Sequence, residues 1–220
     1  HPMLENLQKM MYKILNNWPE VLKGYNYRIQ IIRDDAPNAL AVAGGNLYFT
    51  TGLLNIIEDD LELEAVVAHE IAHVERRHTL REFKEYQRKQ TNVAALVAFI
   101  AFSSVIMDSD NGIALANIVS IIGEFAVEFT QIGYNRDLEQ EADLFSQIYF
   151  NNLGLDILPA ISILDKLATF NLTRLGLIPR ANAYSSHPDI LLRVKQIENG
   201  VFFKYNAQIV MKLYPADPNL

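Results

Sequence analysis

Apolar residues along the chain recur mainly at helical spacing. From Met3 to Asn17 they fall every three or four positions, and Trp18-Pro19 ends that pattern. Asp59 or Asp60 can cap a helix that runs to about His78, and the following TLREFKEYQRKQ predicts a helical continuation. Further helices are predicted at 93–107, 113–130, 136–152, 157–170 and 188–198.

Two stretches before the helix at 60–78 are rich in β-branched and aromatic residues and predict strands. The first is YNYRIQIIRDD. The second, NALAVAGGNLYFTTGLL, predicts a strand, a turn at Gly44-Gly45-Asn46 and a third strand from Leu47 to Thr51. NLTRLGLIPRANAYSSHP has loop composition, and Val201 to Leu213 is compatible with strand or helix. We therefore expect an α+β fold that is predominantly α-helical, with a small β-sheet preceding the helix at 60–78.

Composition limits the classes of protein that fit this pattern. Half of the 220 residues are hydrophobic and a fifth are charged, which is typical of globular chains. No repeat or low-complexity linker divides the sequence, so we expect a single domain over 1–220. The net charge of −7 argues against a nucleic-acid partner. Because the chain has no cysteine, any metal must be held by His, Asp or Glu.

The longest uncharged run, Val93 to Met107, has 15 residues, whereas a bilayer span needs about 20. Glu124 and Glu128 interrupt the next apolar stretch. Buried core helices are one interpretation of 93–129. A peripheral contact with a membrane surface, or a peptide-binding face, is the other. No secretory signal opens the sequence, and His1-Pro2 leave open whether a longer chain precedes them.

The stretch EAVVAHEIAHVERRH carries three of the five histidines within ten residues. On a helix, His69 and His73 are separated by about 40° around the axis and about 6 Å along it, so both can bind one ion. Glu70 lies about 100° from His69, where a base can take a proton from a water activated by the metal. His78 lies about 180° from His69, and we interpret it as a structural cation at the end of the helix.

Two alternatives compete with a mononuclear metal site. His69 and His73 could be paired histidines on the surface of a charged helix. Glu70 with His73, and Glu75 with His78, also form the Glu-x-x-His units of di-iron bundles. Those bundles take the two units from different helices, whereas here both share one helix and face apart.

Zinc requires a third protein ligand and an open position for water. The segment NRDLEQEAD, from Asn135 to Asp143, is acidic and predicted to be helical. Its residues Glu139 and Asp143 are four apart and share a face. If Glu139 binds the metal, Asp143 is close enough to hydrogen-bond a ligand imidazole, which would fix its tautomer. The other interpretation is an ordinary charged helix face.

These motifs together resemble the gluzincin zinc metallopeptidases that include HtpX, the CAAX prenyl proteases and the periplasmic protease BepA. The resemblance runs from about Asn38 to Arg193 and covers the strand pair, the HExxH helix, NRDLEQEAD and SSHPDILLR. It implies a zincin-type metalloprotease domain with one Zn2+ per chain. The chain departs from the resemblance at Ala43-Gly44-Gly45, where relatives often have Pro-Gly-Gly, and in lacking true spanning helices at 93–129.

The resemblance also implies a role for each site residue. The zinc ligands would be His69, His73 and Glu139, with Glu70 as general base. Asp143 would donate a proton or orient a ligand, and Arg193 would pair with a carboxylate or a developing oxyanion. His187 can reach the open metal position and silence the enzyme, or it can be a structural residue beside Pro188. Both interpretations of His187 remain open.

The function expected from the sequence is zinc-dependent endopeptidase activity on protein or peptide substrates, bound as an extended strand along residues 38–51. The resemblance places such an enzyme in the bacterial periplasm or cell envelope, soluble or peripherally associated with a membrane. The alternative function is a chaperone-like or adaptor binding module whose zinc site is occluded. Cleavage of casein that a chelator abolishes would separate the two.

Overall fold

The computed structural model describes residues 2–90, 133–175, 187 and 190–198. Within those ranges the elements follow one another as α1 (Pro2–Asn16), β1 (Arg28–Ile32), β2 (Ala39–Val42), β3 (Asn46–Thr50), α2 (Thr51–Ile56), α3 (Asp60–Glu75), α4 (His78–Gln90), α5 (Arg136–Asn152), α6 (Leu158–Leu175) and α7 (Ile190–Glu198). The predicted α+β class, mostly helical with a small sheet, is confirmed.

The sheet has the strand order β1-β3-β2, with β3 parallel to β1 and antiparallel to β2. Each strand begins within three residues of its predicted position. Gly44 and Gly45 both have positive φ, at 87° and 91°, which explains why glycine occupies this tight turn. The side chains of Leu47 and Phe49 are fully buried on the core face. Among the described strands, β2 is at the edge of the sheet, and it lies against α3.

Helix α3 is the centre of the fold, because α1, α5, α6 and β2 all pack against it. The Asp59 side chain caps its start and accepts a hydrogen bond from the Glu62 amide at 2.8 Å. Every residue from Glu62 to Glu75 is buried, polar ones included. A helix surrounded in this way must supply each of its charged side chains with a partner.

The predicted end of this helix at His78 is wrong. Helix α3 ends at Glu75, Arg76 forms its C-cap, and Arg77 has a positive φ of 56°. A non-glycine residue in this left-handed region breaks the helical path. The chain therefore turns before α4 begins at His78, and TLREFKEYQRKQ belongs to that separate helix.

The acidic residues near the start of α3 make specific ion pairs and also interact favourably with the positive end of the helix dipole. Glu62 accepts hydrogen bonds from Ser162 at 2.6 Å and from Lys166 at 2.7 Å. Burial acts to raise the pKa of Glu62, but the Glu58 amide and the Lys166 and Ser162 side chains outweigh it and lower that pKa. Glu64 pairs with Lys13 on α1, at 2.7 Å. These contacts hold α1 and α6 against α3.

Helices predicted at 136–152 and 188–198 are confirmed as α5 and α7, and the helix predicted at 157–170 extends to Leu175 as α6. The loop predicted from Asn171 is therefore wrong for its first five residues. The helices predicted at 93–107 and 113–130, the apolar face at 93–129 and the tail at 201–213 lie outside the described residues. Among the described helices, none is both long and apolar enough to cross a bilayer.

Thr50 offers a test of how the end of β3 is fixed to the chain before β2 and to the start of α2, which it caps. Its Oγ1 accepts hydrogen bonds from the amides of Asn38 at 2.8 Å and Leu53 at 3.2 Å, and donates to the Ala36 carbonyl at 2.8 Å. Thr50→Val keeps the shape but removes these bonds. We expect it to lower the free energy of unfolding by about 1–2 kcal/mol, measured by denaturant unfolding. Thr50→Ser is the matched control and should lose less. Equal losses in the two variants would contradict this role.

Candidate metal centre

The two histidines of the HExxH motif meet inside the protein. His69 and His73 project from the same face of α3, and their Nε2 atoms are 2.9 Å apart. Their exposed fractions are 4% and 0%, so paired surface histidines are ruled out. Glu75, which the di-iron alternative requires as a ligand, instead accepts hydrogen bonds from Tyr27 and from the Lys23 amide.

Two residues from elsewhere in the chain join these imidazoles. Glu139, on the first turn of α5, has Oε1 at 3.3 Å from His73 Nε2 and Oε2 at 3.5 Å from His69 Nε2. His187 has Nδ1 at 2.9 Å from Glu139 Oε1 and 3.3 Å from His69 Nε2. All four side chains are buried, and their four donor atoms lie within 4.8 Å of one another.

These separations suit a tetrahedral zinc ion. Zn–N and Zn–O bonds of about 2.0–2.1 Å at tetrahedral angles place neighbouring ligand atoms about 3.3–3.4 Å apart. The separations of the five pairs given above, from 2.9 to 3.5 Å, bracket that value. Imidazole nitrogens and a carboxylate oxygen are also donors that zinc prefers. The residues present therefore fit the metal that the motif predicts.

The remaining nitrogen of His69 faces a carboxylate. Asp143 lies one turn after Glu139 on α5, and its Oδ1 is 3.0 Å from His69 Nδ1. Arg193, on α7, donates to both oxygens of Asp143 at 2.7 and 2.8 Å. Its Nη1 is also 2.7 Å from Glu139 Oε2. Arg193 thus pairs with carboxylates, which is one of the two roles expected for it.

The remaining nitrogen of His73 faces His78. Their Nδ1 atoms are 2.9 Å apart, and His78 is fully buried. Burial lowers the pKa of His78 although the adjacent Glu141 acts to raise it. The interpretation of His78 as a residue at the end of this helix is wrong, because α3 ends at Glu75 and His78 begins α4. Because the chain turns at Arg77, His78 approaches His73 from the start of α4 and does not lie across the helix from it.

Glu141 points away from the metal cluster, as its position on α5 predicts. It accepts hydrogen bonds from Arg76 Nε at 2.6 Å and from Arg81 Nη1 at 2.7 Å. Its Oε2 is 3.4 Å from His78 Nε2. Burial acts to raise the pKa of Glu141, but His78 and the two arginines outweigh it and lower that pKa to about 2. This carboxylate is an ionised anchor behind the metal ligands.

Glu70 is fully buried beside the cluster, and its Oε1 lies 3.3 Å from His187 Nε2. Burial raises the pKa of Glu70, with His187 and His69 acting in the opposite direction. A carboxylate whose pKa is raised in this way is better able to hold a proton during a reaction.

The charges of the cluster suit metal binding. Burial acts to raise the pKa of Glu139, yet His187 and Arg193 hold it well below its usual range. Burial and Arg193 act to lower the pKa of His69, but Asp143 and Glu139 raise it to about 9. Burial lowers the pKa of His73 well below its ordinary value. The site therefore offers an ionised carboxylate and one neutral imidazole, and His69 would release its second proton when a metal binds.

Tyr134 is a neighbour of the site that the motifs do not reveal. Its ring stacks on His73 with centroids 3.8 Å apart. Its hydroxyl bonds with Thr79 at 2.8 Å and donates to the Ala41 carbonyl of β2 at 3.2 Å. The only signal in the sequence is its position directly before Asn135, which caps α5. Tyr134 links the edge strand to the metal-binding helix.

Comparison with known proteins identifies the family. Residues 5–201 match the sequence profile of peptidase family M48. The chain is 28% identical over 176 residues to the metalloprotease YcaL of Escherichia coli (strain K12), covering 80% of this chain and 62% of the relative. It is 24% identical over 174 residues to the mitochondrial metalloendopeptidase OMA1 of Schizosaccharomyces pombe, covering 78% and 46%.

A further relative is the beta-barrel assembly-enhancing protease of Escherichia coli (strain K12), 28% identical over 163 residues, which cover 74% of this chain and 30% of the relative. The chain thus spans less than two thirds of the length of these relatives. The matched profile includes the HExxH helix and the segment that carries Glu139. The resemblance inferred from the motifs is confirmed, and the chain belongs to peptidase family M48.

Proposed function

We propose that the protein is a zinc-dependent endopeptidase that hydrolyses peptide bonds in protein substrates. The observation that carries this proposal is the meeting of His69 Nε2, His73 Nε2 and the Glu139 carboxylate at tetrahedral separations, with Glu70 beside them. One Zn2+ per chain would be held by these three residues. When bound there, zinc supplies Lewis-acid polarisation of a carbonyl and lowers the pKa of a water.

Glu70 would be the general base. The carboxylate takes a proton from the attacking water and returns it to the leaving amine. This transfer needs a group that can hold the proton between the two steps. The pKa of Glu70, raised by burial, supports this assignment. Its position directly after His69 on α3 would keep it beside the metal without binding it.

Asp143 and Arg193 would position the ligands. Asp143 lies 3.0 Å from His69 Nδ1 and can accept its proton, so that Nε2 is left to bind the metal. Arg193 holds Asp143 through two hydrogen bonds and pairs with Glu139. A planar guanidinium shared between two carboxylates fixes their spacing. These contacts favour positioning as the role of Arg193 over stabilisation of an oxyanion.

The substrate would bind as an extended strand along β2. β2 is an outer strand of the sheet and packs against the metal-binding helix α3. Because the Asn38 carbonyl accepts its hydrogen bond from β3, the alternating pattern turns the backbone groups of Ala39 and Ala41 away from β3. The Ala41 carbonyl there accepts hydrogen bonds from Tyr134 and Thr79, which an incoming strand would have to replace. Strand addition there uses backbone hydrogen bonds and so gives modest sequence preference. A polypeptide substrate in the bacterial cell envelope is consistent with the relative named for beta-barrel assembly.

His187 would act as a regulatory fourth ligand. Its Nδ1 is 2.9 Å from Glu139 Oε1 and 3.3 Å from His69 Nε2, so it would compete with a water for the fourth position on the metal. A closed four-ligand zinc site is structural, whereas a catalytic site keeps one position open. This observation also favours the second candidate function, a chaperone-like or adaptor module with an occluded metal. In the endopeptidase, His187 would leave the cluster to admit a water. In the binding module, His187 would stay in the cluster.

Replacement of Glu70 tests the endopeptidase assignment. Glu70→Gln should retain one zinc per chain but lose casein cleavage by about 10²–10⁴-fold, because the amide cannot take the proton. His73→Ala should lose both metal and cleavage. Wild-type cleavage should stop on addition of phenanthroline and return with zinc. A Glu70→Gln protein with full activity would end the assignment, and a metal-loaded wild type without cleavage would favour the binding module.

Replacement of His187 tests the brake. His187→Ala should raise the rate of casein cleavage while zinc content stays at one per chain, since three ligands remain. The double variant His187→Ala/Glu70→Gln is the control and should be inactive, which would assign the gain to this site. Unchanged activity would exclude a brake, and loss of zinc would make His187 a required ligand.

A further inference from the structure

The pair formed by His73 and His78 constrains where their protons lie. The two Nδ1 atoms are 2.9 Å apart and both rings are fully buried. At that distance one nitrogen must donate and the other must accept. His73 cannot donate from Nε2 in this direction, because Nε2 faces His69 and Glu139.

The direction of the bond follows if His73 binds the metal, so this inference rests on the proposed function. A ligand imidazole bound through Nε2 carries its proton on Nδ1. His73 then donates to His78 Nδ1, and the proton of a neutral His78 lies on Nε2. That nitrogen makes no hydrogen bond to a described residue, and the carboxylate oxygen that it faces is Glu141 Oε2, 3.4 Å away.

We propose that His78 is a positioning residue that connects the ligand His73 to the carboxylate of Glu141. In this relay His73 donates to His78 and His78 donates to Glu141. The relay selects the His73 tautomer whose Nε2 lone pair faces the metal. It also raises the basicity of that imidazole, which makes His73 a stronger metal ligand.

The far end of the relay is held by cations. Glu141 receives hydrogen bonds from Arg76 and Arg81, and Arg76 also pairs with Glu20 at 3.0 Å. The carboxylate therefore stays ionised and fixed in place. Each ligand imidazole consequently ends on an anchored carboxylate: His69 reaches Asp143 directly, and His73 reaches Glu141 through a second imidazole.

A graded pair of substitutions separates this relay from simple packing. In His78→Asn the amide oxygen stands where Nδ1 was and can still accept from His73, although the link to Glu141 is lost. His78→Phe keeps a ring of similar shape but accepts nothing. A relay predicts the order wild type, His78→Asn, His78→Phe for zinc affinity. Packing alone predicts that the ring is tolerated better than the small amide.

Zinc affinity is measured by competition with a chromophoric chelator. We expect His78→Phe to bind zinc about 10–100-fold more weakly than the wild type, and His78→Asn to recover part of that loss. Tyr134→Phe is the matched control, because it removes a buried hydroxyl beside His73 without changing a partner of its nitrogens. Thermal unfolding of the chelator-treated proteins checks that each variant folds.

The tautomers give a readout that does not depend on any variant folding. In zinc-loaded wild type, 15N NMR of the histidine rings should find the proton of His73 on Nδ1 and that of His78 on Nε2. A proton on His78 Nδ1, or unchanged zinc affinity in folded His78→Phe, would overturn the relay and leave the metal site intact. A wild type that binds no zinc would overturn the proposed function and the relay together.

Discussion

Four side chains with polar donor atoms, carried by α3, by α5 and by His187, are buried at one point, and this burial is the main constraint on the contacts around them. Taking imidazoles and carboxylates out of water costs several kcal/mol per charged group unless each finds a partner. The partners come from outside the cluster, namely Arg193 and Asp143 on one side and His78 and Glu141 on the other. The helices pack as they do because these contacts must all be made together.

Much of the site could be predicted from the sequence because it depends on local helical geometry. The spacing of His69 and His73, and of Glu139 and Asp143, fixes each pair on one helix face before any tertiary contact forms. The cap at Asp59 and the glycines of the β-turn are likewise local signals. Such features are set by local backbone geometry, so tertiary packing does not change them.

The errors arose where a single residue redirected the chain or where partners are distant in sequence. One left-handed residue, Arg77, ends α3 three residues early and brings His78 beside His73, which helical periodicity across the break cannot anticipate. Glu62 lies in the first turn of α3, but its partner Lys166 is 104 residues away in the sequence, so local helical periodicity does not predict that pair. Tyr134 stacks on His73 without belonging to any motif. The burial of the charged residues of α3 depends on the elements packed around that helix, so local sequence patterns do not predict it.

The central claim is that His69, His73 and Glu139 hold one zinc ion. X-ray absorption at the zinc edge of the purified protein tests this most directly, because it reports the number and type of ligand atoms around the metal. The account predicts one zinc per chain, with at least two imidazoles and a carboxylate oxygen at about 2.0–2.1 Å in a four-coordinate shell. A protein without bound zinc, or a six-coordinate shell of oxygen without imidazole, would contradict it.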